Sequence, residues 1–259
     1  MFTYFISDFH LGISGHLSSV EREKQICRWI DAVKSNAAAI YFVGDMFDYW
    51  FEYRETIPRG YSRFLGKVAE LRDANIPVYF FTGNHDMWMF NYFTEQFDIP
   101  IYRKPIVRTI NNKTFFIGHG DGLGPGDYGY KTIKHIFAFP PFQWLFARLH
   151  PNFSLGLMRF FSQKSRGAQD FELETQFHGA DKERLLVFAE AESRKQNIDY
   201  FIFGHRHLPI DWLLSNKKSR YINLGEWIYA TTYAVFDGSE LTLKVFENDA
   251  VIIHKNAPQ

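Results

Sequence analysis

The sequence has one cysteine in 259 residues. That excludes a disulfide framework and a thiolate zinc site, and it fits a reducing compartment. It lacks any apolar run of the roughly 18 residues that a membrane helix needs. Its longest aromatic-rich stretch is broken by Pro140, Pro141 and Gln143. It lacks the basic start of a signal peptide, since Met1 leads straight into a strand-like run. It lacks net charge, with 29 Lys+Arg against 29 Asp+Glu, and so the total alone says nothing about partners. Repeats and low-complexity linkers are absent too. What is abundant is aromatic: 19% of residues, with 28 Phe, in a chain that is 46% hydrophobic and 22% charged. Wholesale disorder is therefore excluded, and the length suits one large or two small domains with a sizeable core.

One pattern recurs. A short apolar run, rich in aromatic and β-branched residues, ends in Gly or Ser and then in polar residues. Tyr4-Phe5-Ile6 leads to Asp8-Phe9-His10, and Ile40-Tyr41-Phe42-Val43 leads to Gly44-Asp45. Val78-Tyr79-Phe80-Phe81 leads to Gly83-Asn84-His85-Asp86, and Phe115-Phe116-Ile117 leads to Gly118-His119. Tyr200-Phe201-Ile202-Phe203 leads to Gly204-His205-Arg206-His207. Runs this short and apolar throughout read as strands buried on both faces. Helical periodicity lies between the early runs. Residues 20–34 place Val20, Ile26, Ile30 and Val33 near one face, and residues 62–74 do so with Phe64, Leu65, Val68 and Leu71. The alternation predicts an α/β fold with parallel pairing, its polar groups gathered at one sheet edge.

Asp8 to Asp45, Asp45 to Asn84 and Asn84 to His119 are each close to one strand–helix–strand unit of about 30 or more residues. His119 to His205 is more than twice that, so an insertion is expected at about 122–180. Two helices are expected in it, one carrying Phe142, Leu145, Phe146 and Leu149 and one carrying Phe153, Leu157, Phe160 and Phe161. A third, at about 181–196, returns to the core. The tail around Tyr221, Thr232 and Leu241 reads as antiparallel strands with a turn at Asp237-Gly238.

The strand ends supply Asp8, His10, Asp45, Asn84, His119, His205 and His207. Asp-x-His and His-x-His let alternate side chains point the same way and share an ion. Seven such groups suit two ions with a bridging carboxylate. Two divalent ions about 3.5–4 Å apart clamp a phosphoryl group and activate water. Mixed nitrogen and oxygen donors without thiolate favour Mn, Fe or Zn over Ca. These five blocks, spanning residues 5 to 207, resemble in order the signature of the calcineurin-like metallophosphoesterases. The resemblance implies a four-layer α/β/β/α sandwich, here one domain over residues 1–259 with the insertion as a helical cap. It implies one metal on Asp8, His10, Asp45 and His207, and another on Asp45, Asn84, His119 and His205. His85 would act beside the scissile phosphate, with Asp86 orienting it.

A narrower resemblance follows. Gly44-Asp45-Met46-Phe47-Asp48-Tyr49-Trp50 is similar to a block of the UDP-2,3-diacylglucosamine hydrolases of lipid A synthesis. So are His119-Gly120-Asp121-Gly122-Leu123, the segment from Pro141 to Phe146, and Arg159-Phe160-Phe161-Ser162. This second match covers roughly 45–170. It implies hydrolysis of a UDP-linked diacylglucosamine to UMP and the sugar 1-phosphate, with Mn²⁺ as cofactor. It also implies peripheral residence on the cytoplasmic face of the inner membrane. Asp127, Tyr130, Arg159, Ser162 and Arg166 would bind substrate. The best-known members of that subfamily carry Arg where this chain has His85.

The insertion has a signature of its own. From Tyr128 to Gln169 there is no Asp or Glu, while Lys131, Lys134, Arg148, Arg159, Lys164 and Arg166 sit among ten aromatic residues. Basic amphipathic helices of this kind suit anionic lipid surfaces, and an apolar face can line an acyl pocket. Packing on the core is the competing use of such a face. No nucleic-acid motif is present, so no nucleic-acid partner is expected. His16, His135, His150, His178 and His254 lack ligand spacing and read as surface or packing residues. Glu226 either returns near the site or closes a turn. Two other functions share the same residues: a phosphoesterase for a soluble nucleotide or phosphodiester, and a non-catalytic peripheral membrane protein on the same fold.

Overall fold

The apolar runs form strands whose alternate side chains enter two different cores. In β1 (Phe2–Ile6), Tyr4 and Ile6 face one core and Phe5 the other. In β2 (Ala37–Val43), Ile40 and Phe42 oppose Tyr41 and Val43 in the same way. This is why neither run shows polar alternation: with both faces covered, every position is apolar. The structure is a computed structural model, and it describes residues 1–126, 128–168, 176–248 and 250–256.

Among the described residues two six-stranded sheets form. The first runs β11-β10-β1-β2-β3-β4, with β3 at Val78–Phe81, β4 at Ile101–Tyr102, β10 at Thr232–Phe236 and β11 at Leu241–Val245. Its β1 to β4 pairs are parallel, and β10 and β11 close it antiparallel. The second runs β12-β8-β9-β7-β6-β5, with β5 at Ile106–Ile110, β6 at Lys113–Ile117, β7 at Tyr200–Phe203, β8 at Pro209–Leu213, β9 at Arg220–Leu224 and β12 at His254–Lys255. Here β6, β7 and β9 are mutually parallel. The sheets pack face to face over Phe5, Tyr41, Phe81, Phe115, Tyr200 and Phe236.

Helices cover the outer faces, completing the four layers. On the first sheet lie α1 (Ser19–Val33), α2 (Ser62–Asp73) and α3 (Tyr92–Phe97). Ser18 caps α1 by accepting from the Glu21 N–H at 3.2 Å. Ile26, Trp29, Ile30 and Val33 form its buried stripe. Val20 was expected on that stripe but is 47% exposed, because in the first turn it precedes the sheet contact. The α2 N-terminus is capped from α1, where Glu23 accepts from the backbone of Arg63 and Phe64 at 2.8 and 3.1 Å. On the second sheet, α7 (Arg184–Ser193) buries Leu185, Leu186 and Ala189. The tail departs from a simple antiparallel set: β10 and β11 form the expected hairpin, but β9 runs parallel to β7 and antiparallel to β8.

The insertion is helical, with α4 at Tyr128–Ala138, α5 at Pro140–Phe146 and α6 at Pro151–Ala168. Pro140 opens α5, where a missing N–H costs nothing. Phe146 is the anchor, its ring centroid 4.9 Å from Phe51 and 4.8 Å from Trp88. Phe142, Leu155, Leu157 and Met158 pack on the same cluster, half-buried. Trp88 Nε1 donates to the Phe137 carbonyl at 2.8 Å. The cap thus rests on the loops after β2 and β3. The other side is bare: Phe139, Trp144, Leu145, Phe153, Phe160 and Phe161 are all exposed. No helix among the described residues is long and apolar enough to cross a membrane.

Candidate metal centre

The loops that follow β1, β2, β3, β6 and β7 meet at one edge of the sandwich. Backbone bonds carry the pairing past the strand ends, from Asp8 N to Gly44 O, His10 N to Asp45 O and Gly204 N to His119 O. Asp8, His10, Asp45, His205 and His207 all take positive φ, between +46° and +68°. Non-glycine residues reach that region at a cost of about 1–3 kcal/mol each, and such strain clusters at functional sites. The close approach also requires glycine at position 204, where a Cβ would stand 2.3 Å from Asp8 Oδ2.

Donor atoms converge there. His10 Nε2 is 3.0 Å from His207 Nε2 and 3.8 Å from Asp8 Oδ1, and His207 Nε2 is 3.3 Å from Asp8 Oδ1. His119 Nε2 is 3.2 Å from Asp45 Oδ2 and 3.3 Å from Asn84 Oδ1. His205 Nδ1 lies 2.9 Å from Asn84 Oδ1. Ligands held about 2.1 Å from a common ion sit about 3.0–3.4 Å from each other, so these spacings fit coordination. Asp45 joins the two groups. Its Oδ1 accepts from the His85 N–H at 2.9 Å, while Oδ2 is buried, makes no hydrogen bond, and lies between His119 and His10, 3.9 Å from the latter. A buried carboxylate oxygen without a donor costs about 1–3 kcal/mol unless a cation takes it.

The tautomers agree. His119 Nδ1 is 2.9 Å from the Val43 carbonyl, which can only accept, so the proton sits on Nδ1 and Nε2 keeps its lone pair for a metal. The electrostatics are those of crowded, buried charges. Burial opposes a charge on His119, yet the carboxylates of Asp45 and Asp8 hold its ring well above the usual imidazole range. Burial and the neighbouring His119 push His205 down to about 4. Burial and the Asp45 charge push Asp86 up to about 7. All seven residues expected to be ligands are therefore brought together at one edge of the sandwich.

The profile of the calcineurin-like phosphoesterases matches residues 3–209. The chain belongs to that family. A UDP-2,3-diacylglucosamine hydrolase of Porphyromonas gingivalis is 38% identical over 256 residues, 95% of this chain and 97% of that protein. One of Aeromonas salmonicida is 26% identical and covers 94% of this chain and 93% of its own. Among solved structures, Yfce, a phosphoesterase from E. coli, is 14% identical, covers 97% of each chain and has a TM-score of 0.48.

Asp86, expected to orient His85, is bonded to the backbone of two loops. Its carboxylate accepts from the backbone of Gly83 at 2.7 Å and of Met46 at 2.8 Å, tying the β2 and β3 loops together. The partner of His85 is Asp48, whose carbonyl receives Nδ1 at 3.0 Å. Asp48 stands in the quoted block three residues after Asp45, but sequence alone does not say which carboxylate packs on the ring.

The expected substrate residues divide. Tyr130 donates to Asp121 Oδ2 at 2.7 Å, and its ring centroid is 6.3 Å from that of His205. Arg159 donates to the Tyr49 hydroxyl at 2.8 Å, and Ser162 donates to Asp48 Oδ2 at 2.7 Å. Asp127 and the side chain of Arg166 lie outside the described residues. Lys134, read from the sequence only as part of the basic cap, pairs with Asp121. The segment around Glu226 does return: the Trp227 N–H donates to the Asp8 carbonyl at 3.0 Å, and Glu226 itself accepts from the turn at 228–230. His16, His135, His150 and His178 are exposed, and His254 stacks on Phe177.

Proposed function

We propose that this protein hydrolyses the pyrophosphate of UDP-2,3-diacylglucosamine, releasing UMP and 2,3-diacylglucosamine 1-phosphate. The observation that carries the reading is the seating of a basic, aromatic cap directly on the loop that presents the metal-competent Asp45. Arg159 reaches Tyr49 and Ser162 reaches Asp48 on that loop. Relatives named for this activity match the chain from end to end, which supports the same reading.

One divalent ion would be held by Asp8, His10, Asp45 and His207, and the other by Asp45, Asn84, His119 and His205. Mn²⁺ is the proposed metal, since nitrogen and oxygen donors without thiolate suit it. When bound, the pair supplies positive charge to the phosphoryl oxygens and lowers the pKa of water. The chain's own residues do the rest. His85, held through Nδ1 by the Asp48 carbonyl, is partly exposed and would present its other edge to a phosphate oxygen or the departing group. Tyr130, Arg159 and Ser162, with Asp127 and Arg166, would place the sugar and phosphate between cap and site.

The chain would act as one catalytic domain with an inserted cap. The cap's bare aromatic side, flanked by Lys and Arg and free of acids, would rest on the cytoplasmic face of the inner membrane, where its substrate lies. The test is to incubate purified protein and Mn²⁺ with UDP-2,3-diacylglucosamine and follow UMP. Release of UMP supports the proposal. Turnover of a small phosphodiester without UMP from the lipid would assign the site to a soluble substrate. Lack of both, with no bound metal, would mean a non-catalytic protein.

A further inference from the structure

The His-x-His run after β7 offers one ligand to each proposed ion, His207 to the first and His205 to the second. Both take left-handed backbone, at φ +56° and +68°. Such angles persist only where the surroundings over-determine them. The residue between the two is itself gripped. Arg206 Nε donates to Glu183 Oε2 at 2.8 Å, and Nη2 donates to Glu183 Oε1 at 3.0 Å, a two-pronged pair. Nη2 also donates to the Gln176 carbonyl at 2.8 Å. Glu183 is buried and stands at the N-cap position of α7, yet its side chain does not cap that helix. Its carboxylate is turned to Arg206 instead. Gln176 and Glu183 both lie on the limb by which the inserted cap rejoins the sandwich, and Phe177 and Ala180 of that limb pack on the outer core of the second sheet.

We propose that the Glu183–Arg206 pair positions the two metal ligands on either side of Arg206, and that it does so from the limb where the cap rejoins. The inference deepens the two-metal reading and rests on it. A planar guanidinium held on two prongs has a fixed orientation, which an ammonium on a single contact lacks. With the middle side chain fixed, the backbone on both sides of it is fixed as well. The His205 N–H then meets both carboxylate oxygens of Asp8, at 3.2 and 3.1 Å. The loop so held carries one ligand of each group and steadies a third. A shift of this loop displaces a ligand of each group at once, so the pair acts on both ions together.

An ion pair of nearly the same form on the same sheet supplies the comparison. Arg220 Nε and Nη2 donate to Asp211 Oδ1 and Oδ2 at 3.1 and 2.6 Å. The side chains of Arg220 and Asp211 are 22% and 6% exposed, against 21% and 4% for Arg206 and Glu183. Arg220 is in register with Tyr200, at the end of β7 away from Gly204 and the metal ligands. A role in folding is common to both pairs, whereas a role in holding ligands belongs to one.

The experiment uses full-length protein. Mn²⁺ is titrated by calorimetry into metal-free protein, the loaded protein is read by electron paramagnetic resonance, and the metal-free protein is melted. Partners behind metal ligands are worth about 10–100-fold in affinity, so Glu183→Gln is expected to weaken Mn²⁺ binding about tenfold at both sites and to alter the signal of the coupled Mn²⁺ pair. Arg206→Lys keeps the charge and loses the fork, and is expected to weaken binding in the same direction. Asp211→Asn is expected to lower the melt as Glu183→Gln does, and to bind Mn²⁺ with the parent's affinity and signal.

Parental Mn²⁺ affinity in Glu183→Gln and Arg206→Lys would overturn the proposal. So would weakening at one site with the other unchanged, or an equal loss of affinity in Asp211→Asn. If Glu183→Gln does not fold, Arg206→Lys decides by the same criteria. A parent protein that binds fewer than two Mn²⁺ would remove the two-metal reading, whereas a parent that binds two, beside variants that match it, would remove this inference alone.

Discussion

Gly83 lies against the carboxylate proposed to bridge two metals, and one added methyl group tests how tightly that carboxylate is held. A Cβ at position 83 would stand 2.1 Å from Asp45 Oδ1, 2.6 Å from its Cγ and 2.8 Å from its backbone nitrogen. Ordinary contact begins near about 3.5 Å, so something must yield by about 1 Å or more. The yielding atom is either the carboxylate or the loop that carries Asn84 and His85, and both belong to the site. A misplacement of about 1 Å in positioned groups costs about 100-fold in rate. Overpacking costs about 1–3 kcal/mol, which for a chain of this size is a fall in Tm of roughly 2–10 °C.

Gly66 supplies the internal control. It lies inside α2 with nothing within 4 Å of an added Cβ. Gly66→Ala should raise stability by about 1 kcal/mol and leave turnover unchanged. The assay is turnover of a small chromogenic phosphodiester at saturating Mn²⁺, with thermal melts of both variants. If Gly83→Ala keeps a rate within about threefold of the parent, the carboxylate can retreat without consequence. The tight-bridge reasoning is then wrong.

Asp45→Ala and Asn84→Ala should each abolish turnover. Asp45→Ala should empty both metal positions by elemental analysis, while Asn84→Ala should spare the one on Asp8, His10 and His207. Near-normal rates in either would refute the two-metal reading. Phe160 and Phe161 are more than half exposed, so changing both to Asp should leave the melt unchanged. If they meet acyl chains, each change forfeits about 1.5–3 kcal/mol, raising KM for the lipid substrate at least tenfold per residue while a small diester reacts as before. Equal losses on both substrates would argue against lipid contact. Phe146→Ala removes the buried anchor between Phe51 and Trp88, a change costing about 3–5 kcal/mol in a core. Hydrogen exchange should speed up across α4 to α6 and not across the sheets; uniform loss of protection would show that cap and sandwich unfold as one.

The strands and the polar groups at their ends were legible because each strand had to be apolar on both faces, and each then stops in a polar loop at one sheet edge. β7 makes the case: Tyr200 and Ile202 enter the core between the sheets, Phe201 and Phe203 enter the outer one, and Gly204-His205 breaks the run. What escaped were short or half-exposed strands at or next to a sheet edge. β4 is two residues long, β8 opens on Pro209, and β5 is only half-buried, with Val107 at the surface. Short edge strands owe their form to the neighbour they pair with, and that neighbour is distant in the chain.

The choice between Asp48 and Asp86 was illegible for a related reason. Both carboxylates follow closely on a metal residue, and both are buried. Asp86 is turned by the backbone donors of Gly83 and Met46, which lie on two loops that only the folded sheet brings together. Asp48 is turned by Leu11 on the first loop and by Ser162 on the cap, 114 positions away. Spacing along a chain reports which groups can share a site. Which group each carboxylate meets is decided by donors from other loops.

The cap adds a second ambiguity of the same origin. A 3.6-residue repeat shows that a helix has an apolar stripe, but not whether the stripe faces inward. In α5 and α6 the apolar residues point both ways. Phe146, Leu155 and Leu157 turn toward the β2 and β3 loops, while Trp144, Leu145, Phe153 and Phe160 turn away. Helices packed on a core need one such face. A second face kept apolar, with no acid from Tyr128 to Gln169 to soften it, is costly in water unless something covers it. The aromatic excess of the composition therefore has two physical sources, the strands of the sandwich and the outer face of the cap.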